Sequence, residues 1–226
     1  MVAFMPRPLP RTFYGRDTVT VARELLGSTL VRRARGATLR GRIVETEAYV
    51  GEEDLACHAR AGRTPRTDPL YGPPGFAYVY ITYGMHHLLN AVTEQEGRPA
   101  AVLLRALEPL EGEKRMARAR GVRAPHLWTS GPAKLCQALG VDLRLNRADL
   151  RGPTIWIEEG EEVPEERVRT SPRIGCERVP APWATIPWRF YVADSPFVTP
   201  GRPWDRVEGR PIRVERHGDK ARGDRE

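Results

Sequence analysis

The segment Gly41–Tyr49, GRIVETEAY, sets two carboxylates and an aromatic ring within five residues of each other. Side chains alternate across an extended strand, so Ile43, Glu45, Glu47 and Tyr49 share one face and Val44, Thr46 and Ala48 the other. The second face is small, apolar and easily buried. The first places a carboxylate beside a ring. Inside a cleft such a carboxylate is a general-base candidate, and the ring can stack on a flat substrate. On an open strand face the same glutamates would be solvated, and spacing alone leaves both readings open.

His58 follows after a short excursion, and Tyr80 lies on a later strand. A pocket walled by Tyr49, His58 and Tyr80 would sandwich an electron-poor heterocycle, more strongly if the guest were cationic. Each ring alone fits ordinary core packing; together with the carboxylate they suggest a site. Tyr83 is a separate case. The run FAYVYITYGMHHLLNAV, Phe76–Val92, reads as a β-hairpin with Tyr83-Gly84 at or near its tip. A large ring there either folds back onto the domain or has a use, and in a basic protein one use is to wedge between stacked bases.

Arg63, Arg66 and Lys134 are candidate phosphate contacts. Ser130 and Gly131 precede Pro132 at a helix start, where amides either hold an anion or are capped in the ordinary way. Arg105 sits within AAVLLRAL, an apolar strand. A charge in that setting must be paired, exposed at one face, or functional, and Glu47 or Glu45 is the natural partner.

Positioning these groups requires a folded frame, and the composition supplies one. The 226 residues are 40% hydrophobic, enough for a sizeable core in one large domain or two small ones. The net charge of +7 is almost all arginine, with lysine only at 114, 134 and 220. Basic surfaces gain affinity for polyanions by releasing counterions, and arginine forks match phosphate oxygens. Cys57, Cys136 and Cys176 lack the spacing of a disulfide framework or a structural zinc site, and the five histidines show no paired Cys/His pattern. No structural metal and a reduced, cytoplasmic setting are expected. No apolar run is long enough for a membrane span, and prolines interrupt MVAFMPRPLPR where a signal peptide would need an apolar stretch.

The spacing predicts helices over 18–26, 52–62, 113–119 and from Ser130 to Gly140. It predicts strands over 29–33, 39–49, 76–92 (as the hairpin), 100–107, 154–158 and 188–193. Residues 60–74 read as a turn-rich loop. With no internal repeat or large linker, the organisation expected is an N-terminal arm (1–11), one domain (12–199) and a polar, basic tail (200–226).

These motifs, in one order from about Phe13 to Val198, resemble the alkyladenine (methylpurine, 3-methyladenine) DNA glycosylase family. The shared segments are GRIVETEAY, His58, FAYVYITYGM with Asn90, VLLRALEPLEG, SGPAKLCQALG and WRFYVADSP. The resemblance implies an α+β fold: a single mixed domain with a curved, largely antiparallel β-sheet flanked by helices and a protruding hairpin. It implies base excision repair on double-stranded DNA, in which a damaged purine is flipped out of the stack. In that pattern Glu47 matches the base that activates water, Arg105 helps hold that water, and the carbonyl of Ile174 is a third water contact. Tyr49, His58 and Tyr80 match the pocket walls. Asn90 matches a residue that disfavours the exocyclic amine of guanine. Tyr83 matches the side chain that fills the gap left by the flipped nucleotide, flanked by Met85 and His86. Arg63, Thr64 and Lys134 match phosphate contacts. The family pattern has tyrosine where this chain has His86, and a basic residue where it has Leu143. With no nucleophilic lysine in the pocket motifs, a monofunctional mechanism without metal or organic cofactor is expected, from a monomer in the cytoplasm, associated with the nucleoid if the source is bacterial. The competing reading is a noncatalytic nucleic-acid-binding module that needs the aromatics and arginines but neither Glu47 nor Arg105; a small-molecule hydrolase using Glu47 is a third.

Overall fold

A computed structural model of the chain describes residues 7–34 and 36–199. The strands are β1 (Thr29–Ala34), β2 (Ala37–Val50), β3 (Ala77–Thr82), β4 (His86–Val92), β5 (Ala100–Glu111), β6 (Ile155–Glu158), β7 (Val168–Ser171) and β8 (Arg189–Val192). The α-helices are α1 (Arg11–Tyr14), α2 (Thr18–Glu24), α3 (Glu113–Arg120) and α4 (Pro132–Leu139). The strands form one eight-stranded antiparallel sheet in the order β3-β4-β5-β2-β1-β6, with β8 joining β2 as a branch that also holds β7. This is the α+β architecture that the resemblance implies.

β2 is the spine. Its 14 residues pair with β5 from Arg40 opposite Glu111 to Val50 opposite Ala100. On its other edge, β1 covers Ala37–Arg42 and β8 covers Glu45–Glu47. Residues 43–48 are buried on both faces. The Thr46 hydroxyl donates to the Ala22 carbonyl at 2.7 Å, tying this face to α2. α2 begins where Asp17 accepts the Thr20 N–H, and it buries Val21 and Ala22. α4 starts at Pro132 and ends at the left-handed Gly140, burying Leu135, Cys136, Ala138 and Leu139. A second apolar cluster of Cys57, Ala59, Leu70, Tyr71, Tyr78, Val92 and Ala101 has Tyr49 and Tyr80 packed against it.

Several boundaries differ from the sequence reading. The helix expected over 52–62 is absent; only His58–Ala61 forms a 3₁₀ turn. Asp54 accepts the N–H groups of Val50 and Ala56, and the Cys57 thiol accepts that of Ala59, so side chains take the donors a helix would use. β5 runs four residues past Leu107, and β7 was not expected because VRTS shows neither an apolar run nor alternation. Within the expected arm, Leu9 is buried and donates its N–H to the Ile157 carbonyl at 2.8 Å. The tail expected over 200–226 lies outside the described residues.

The β2–β5 pairing is irregular at Arg40/Gly41, Ile43/Glu45 and Glu45/Thr46. At the first irregularity the strands lie too close for a side chain. A Cβ on Gly41 would meet the Leu107 Cβ at 2.9 Å, and neither atom can swing away. Gly41→Ala should therefore destabilise the fold by about 1–3 kcal/mol, the usual cost of overpacking, read as a lower urea midpoint. An unchanged midpoint would mean that this crossing has slack.

Candidate active site

The irregular pairing aims the central arginine. Glu45 lies opposite Ala106 and Thr46 opposite Leu104, so Arg105 is the extra residue of a bulge. Bulges redirect a side chain at a chosen point. Arg105 Nε donates to Glu45 Oε1 at 2.8 Å, and its Nη1 stands 3.1 Å from Glu47 Oε2. Both carboxylates are fully buried. The solvated-face reading of the two glutamates is thereby overturned.

The two carboxylates have different surroundings. Glu45 is enclosed by protein: Arg189 Nε donates at 2.7 Å and the Thr199 N–H at 2.7 Å. Burial pushes its carboxyl up, but Arg105, Arg189 and Thr199 outweigh that effect and hold it below the ordinary value. Glu47 accepts the Tyr49 hydroxyl at 2.8 Å and the Ile174 N–H at 2.7 Å. Tyr49 and Ile174 also line a cavity of about 200 Å³, together with His58, Tyr78, Tyr80, Leu88, Asn90 and Cys176 among others. Glu47 thus lies directly behind the wall of that cavity.

The expected walls Tyr49, His58 and Tyr80 line this one cavity, with Asn90 and Ile174, and Tyr78 joins them. His58 meets Tyr80 edge-on with centroids 4.5 Å apart, and its Nδ1 is 3.0 Å from the Tyr78 hydroxyl. Asn90 donates from Nδ2 to the Tyr78 carbonyl at 3.0 Å. Burial keeps the pocket uncharged. It lowers His58 to about 4, helped by Arg66 and Arg60, and raises Tyr78 to about 12. Tyr49 is pushed well above its ordinary value by burial and then by Glu47. A neutral aromatic pocket in front of a carboxylate suits a flat, electron-poor or cationic guest.

Tyr83 stands clear of the pocket. β3 and β4 pair from Ala77 opposite Ala91 to Thr82 opposite His86. The connecting turn is closed by Met85 N–H to the Thr82 carbonyl at 3.2 Å. Both central residues have positive φ, 51° at Tyr83 and 69° at Gly84, the conformation favoured in tight antiparallel connections. Tyr83 is 89% exposed and Met85 68%, and His86 is exposed beside them. The tip therefore does not fold back onto the domain.

The expected phosphate contacts are less uniform. Arg63 is exposed and paired with Asp68 at 2.6 Å. Thr64 is turned inward, exchanging hydrogen bonds with Thr67. Arg66 lies over the Tyr80 ring at 5.7 Å. Lys134 is half-buried, 3.4 Å from the Ser130 hydroxyl. Ser130 and Gly131 are buried, Ser130 bridging to Ala106, and the Gly131 N–H donates to the Thr129 carbonyl. The Gly131 amide is therefore engaged, and the amide anion site suggested by the sequence is not open there. A wider groove of about 760 Å³ lies elsewhere; Glu52, Glu53, Glu94 and Glu96 in its lining do not suit a polyanion. Among the described residues no cluster of His, Cys, Asp or Glu could hold a metal ion, and no helix is long and apolar enough to cross a membrane.

The sequence offers Glu45 as a partner for Arg105, which the structure bears out, but gives no sign of its pairing with Arg189 or of a second buried ion pair. Glu45 holds Arg105 and Arg189 rather than facing the pocket. Arg173 and Asp54 form a fully buried ion pair beside Tyr49. Neither the Glu45–Arg189 nor the Arg173–Asp54 contact has a spacing signature, because the partners lie 144 and 119 residues apart in the chain.

The profile of the methylpurine-DNA glycosylase (MPG) family matches residues 12–196. The chain belongs to this family. A protein of Myxococcus xanthus named "Putative 3-methyladenine DNA glycosylase" is 49% identical over 195 residues, covering 86% of this chain and 95% of its own. Proteins of the same name from Chlorobaculum parvum and Methanocella arvoryzae are 47% and 48% identical, over 90% and 87% of this chain and 96% and 98% of theirs. As a methylpurine-DNA glycosylase it is a monofunctional DNA-repair hydrolase of N-glycosyl bonds. Such chemistry needs the base outside the stack.

His58 gives a direct test of the pocket's neutrality. Its value falls from 6.5 to about 4 on folding. Between those pH values the unfolded chain binds a proton that the folded one does not, so stability falls as pH drops from about 6.5 to 4. His58→Gln should flatten this part of the dependence in thermal melts across the same range. An equal acid loss in variant and parent would show that His58 is not held neutral.

Proposed function

We propose that Glu47 is the general base that activates a water for attack on the sugar C1′ of a flipped, damaged purine nucleotide, leaving an abasic site. The observation that carries this reading is the set of partners around Glu47. A carboxylate offers about four acceptor positions. Tyr49, Ile174 and Arg105 occupy three and fix its orientation, leaving one free to accept from a water. Arg105 and the Ile174 carbonyl would hold that water with it. Alkylation at N3 or N7 makes the purine cationic and a good leaving group, so a base, a water and stabilisation of the sugar cation suffice.

Tyr49, His58 and Tyr80 then hold the base, and Asn90 disfavours the amine of normal guanine. Tyr83 fills the gap in the duplex, with Met85 and His86 beside it. Arg63, Thr64 and Lys134 approach the phosphates. The partner is double-stranded DNA with alkylated purines, and deaminated purines such as hypoxanthine fall within the same pocket chemistry. A monomer acting in the cytoplasm, on the nucleoid in a bacterial cell, suits an enzyme that scans DNA.

Glu47→Gln preserves shape while removing the base. Single-turnover release from duplexes carrying 3-methylpurine or hypoxanthine should fall at least 10³-fold, with lesion-DNA affinity retained; the expected loss is in the range of general-base and electrostatic contributions. Release at the parent rate would exclude Glu47 as the base. Tight lesion binding without release by either protein would favour a noncatalytic recognition module.

Tyr83→Ala should reduce the fluorescence change of a base analogue that reports flipping, because nothing then fills the vacated stack. An undiminished signal would remove Tyr83 from that role.

A further inference from the structure

We propose that Arg173 and Asp54 are positioning residues for this chemistry: together they fix the Glu47 carboxylate and the Tyr49 ring from outside the pocket. The inference rests on the reading of Glu47 as the base. Arg173 lies one residue before Ile174, whose N–H donates to Glu47 Oε1 at 2.7 Å. Its guanidinium is fully buried and committed on several sides. Nη1 donates to the Ala48 carbonyl at 2.9 Å, between Glu47 and Tyr49 in sequence. Nη1 and Nη2 reach the two Asp54 oxygens at 2.5 and 2.8 Å, and Nη2 also reaches the Trp183 carbonyl at 3.2 Å. The guanidinium carbon stands 4.7 Å from the centroid of the Tyr49 ring and 5.3 Å from that of Trp188.

Asp54 extends the same clamp. It accepts the N–H of Val50, at the end of β2, and that of Ala56, two residues before His58. One buried ion pair therefore joins the three segments that bear Glu47 with Tyr49, His58, and Ile174. None of its atoms lines the cavity, so it acts through the groups that do. An arginine fork suits this task, since two nitrogens in a fixed plane set both distance and angle, whereas an ammonium sets only distance.

The Arg173→Lys variant keeps the charge and loses the fork. Its single-turnover base release should fall at least 10-fold, with the Kd for lesion DNA within about threefold of the parent, because a displaced carboxylate impairs the reaction more than the capture of the base. Asp54→Asn should behave alike, and the double variant should be no slower than the slower single, the sign of one shared device. Should either charge variant fail to fold, Trp188→Leu removes one wall of the stack without unpairing a charge, and should still slow release at least threefold with affinity kept. Glu47→Gln is run in parallel. If Glu47→Gln is inactive while folded Arg173→Lys, or Trp188→Leu in its place, releases base at the parent rate, the clamp is overturned and the general base stands. Additive losses in the double variant, or equal losses in rate and affinity, also overturn it. If Glu47→Gln itself releases base normally, the catalytic reading falls and the clamp with it.

Discussion

Two carboxylates and two guanidiniums sit fully or almost fully out of water at the centre of this sheet, and the rest of the structure is arranged to keep them balanced. Glu45, Glu47, Arg105 and Arg189 sum to zero charge, with each carboxylate facing at least one guanidinium. Burying an unpaired charge costs several kcal/mol, so no member can be lost or displaced without affecting the others. This accounts for the bulge that aims Arg105 and for the way β8 takes over the edge of β2 where β1 stops, delivering Arg189 opposite Glu47 in the pairing. It also gives the two glutamates separate tasks. Glu45 is held by Arg105, Arg189 and the Thr199 N–H, away from the cavity lining, and acts as the anchor. Glu47 is bonded to the pocket wall through Tyr49 and Ile174.

The aromatic cavity obeys the complementary rule. Burial that would be ruinous for isolated charges is used here to suppress charge: His58 is neutral and the tyrosines stay protonated donors. A cationic guest then meets electron-rich faces with no competing cation in the wall, while a fixed carboxylate waits behind it. In the proposed role, selectivity for damaged purines and readiness for hydrolysis share one physical source, the exclusion of water.

Much of this was legible in the sequence wherever a local pattern encodes the structure. Alternation in GRIVETEAY gave the shared face of Glu45 and Glu47, glycine and aromatic content gave the β3–β4 turn, and Gly131-Pro132 with Gly140 bracketed α4. The capped turns around Asp54 were misread as a helix because their donors are taken by side chains, which composition does not reveal. Ser130 and Gly131 carry the residue types of an anion site, but the Gly131 N–H is taken by the Thr129 carbonyl, which residue types alone do not reveal. Arg173 looks like any other arginine in an arginine-rich chain; its importance comes from partners brought together from about 120 residues upstream.

The turn at Tyr83 has a thermodynamic consequence. β4 pairs with β5 only over Asn90–Val92, so the outer part of the β3–β4 pair is a two-stranded ribbon standing beyond the main sheet. Such ribbons are free to twist and rock more than a sheet interior. The tip itself is a tight turn, closed by the Met85 N–H to the Thr82 carbonyl with Tyr83 and Gly84 both left-handed. In the proposed role, the ribbon as a whole can adjust to an approaching duplex while the turn that carries the inserting ring keeps its backbone form. Less of the association free energy is then spent on conformational entropy, and more remains to oppose the stacking of the bases.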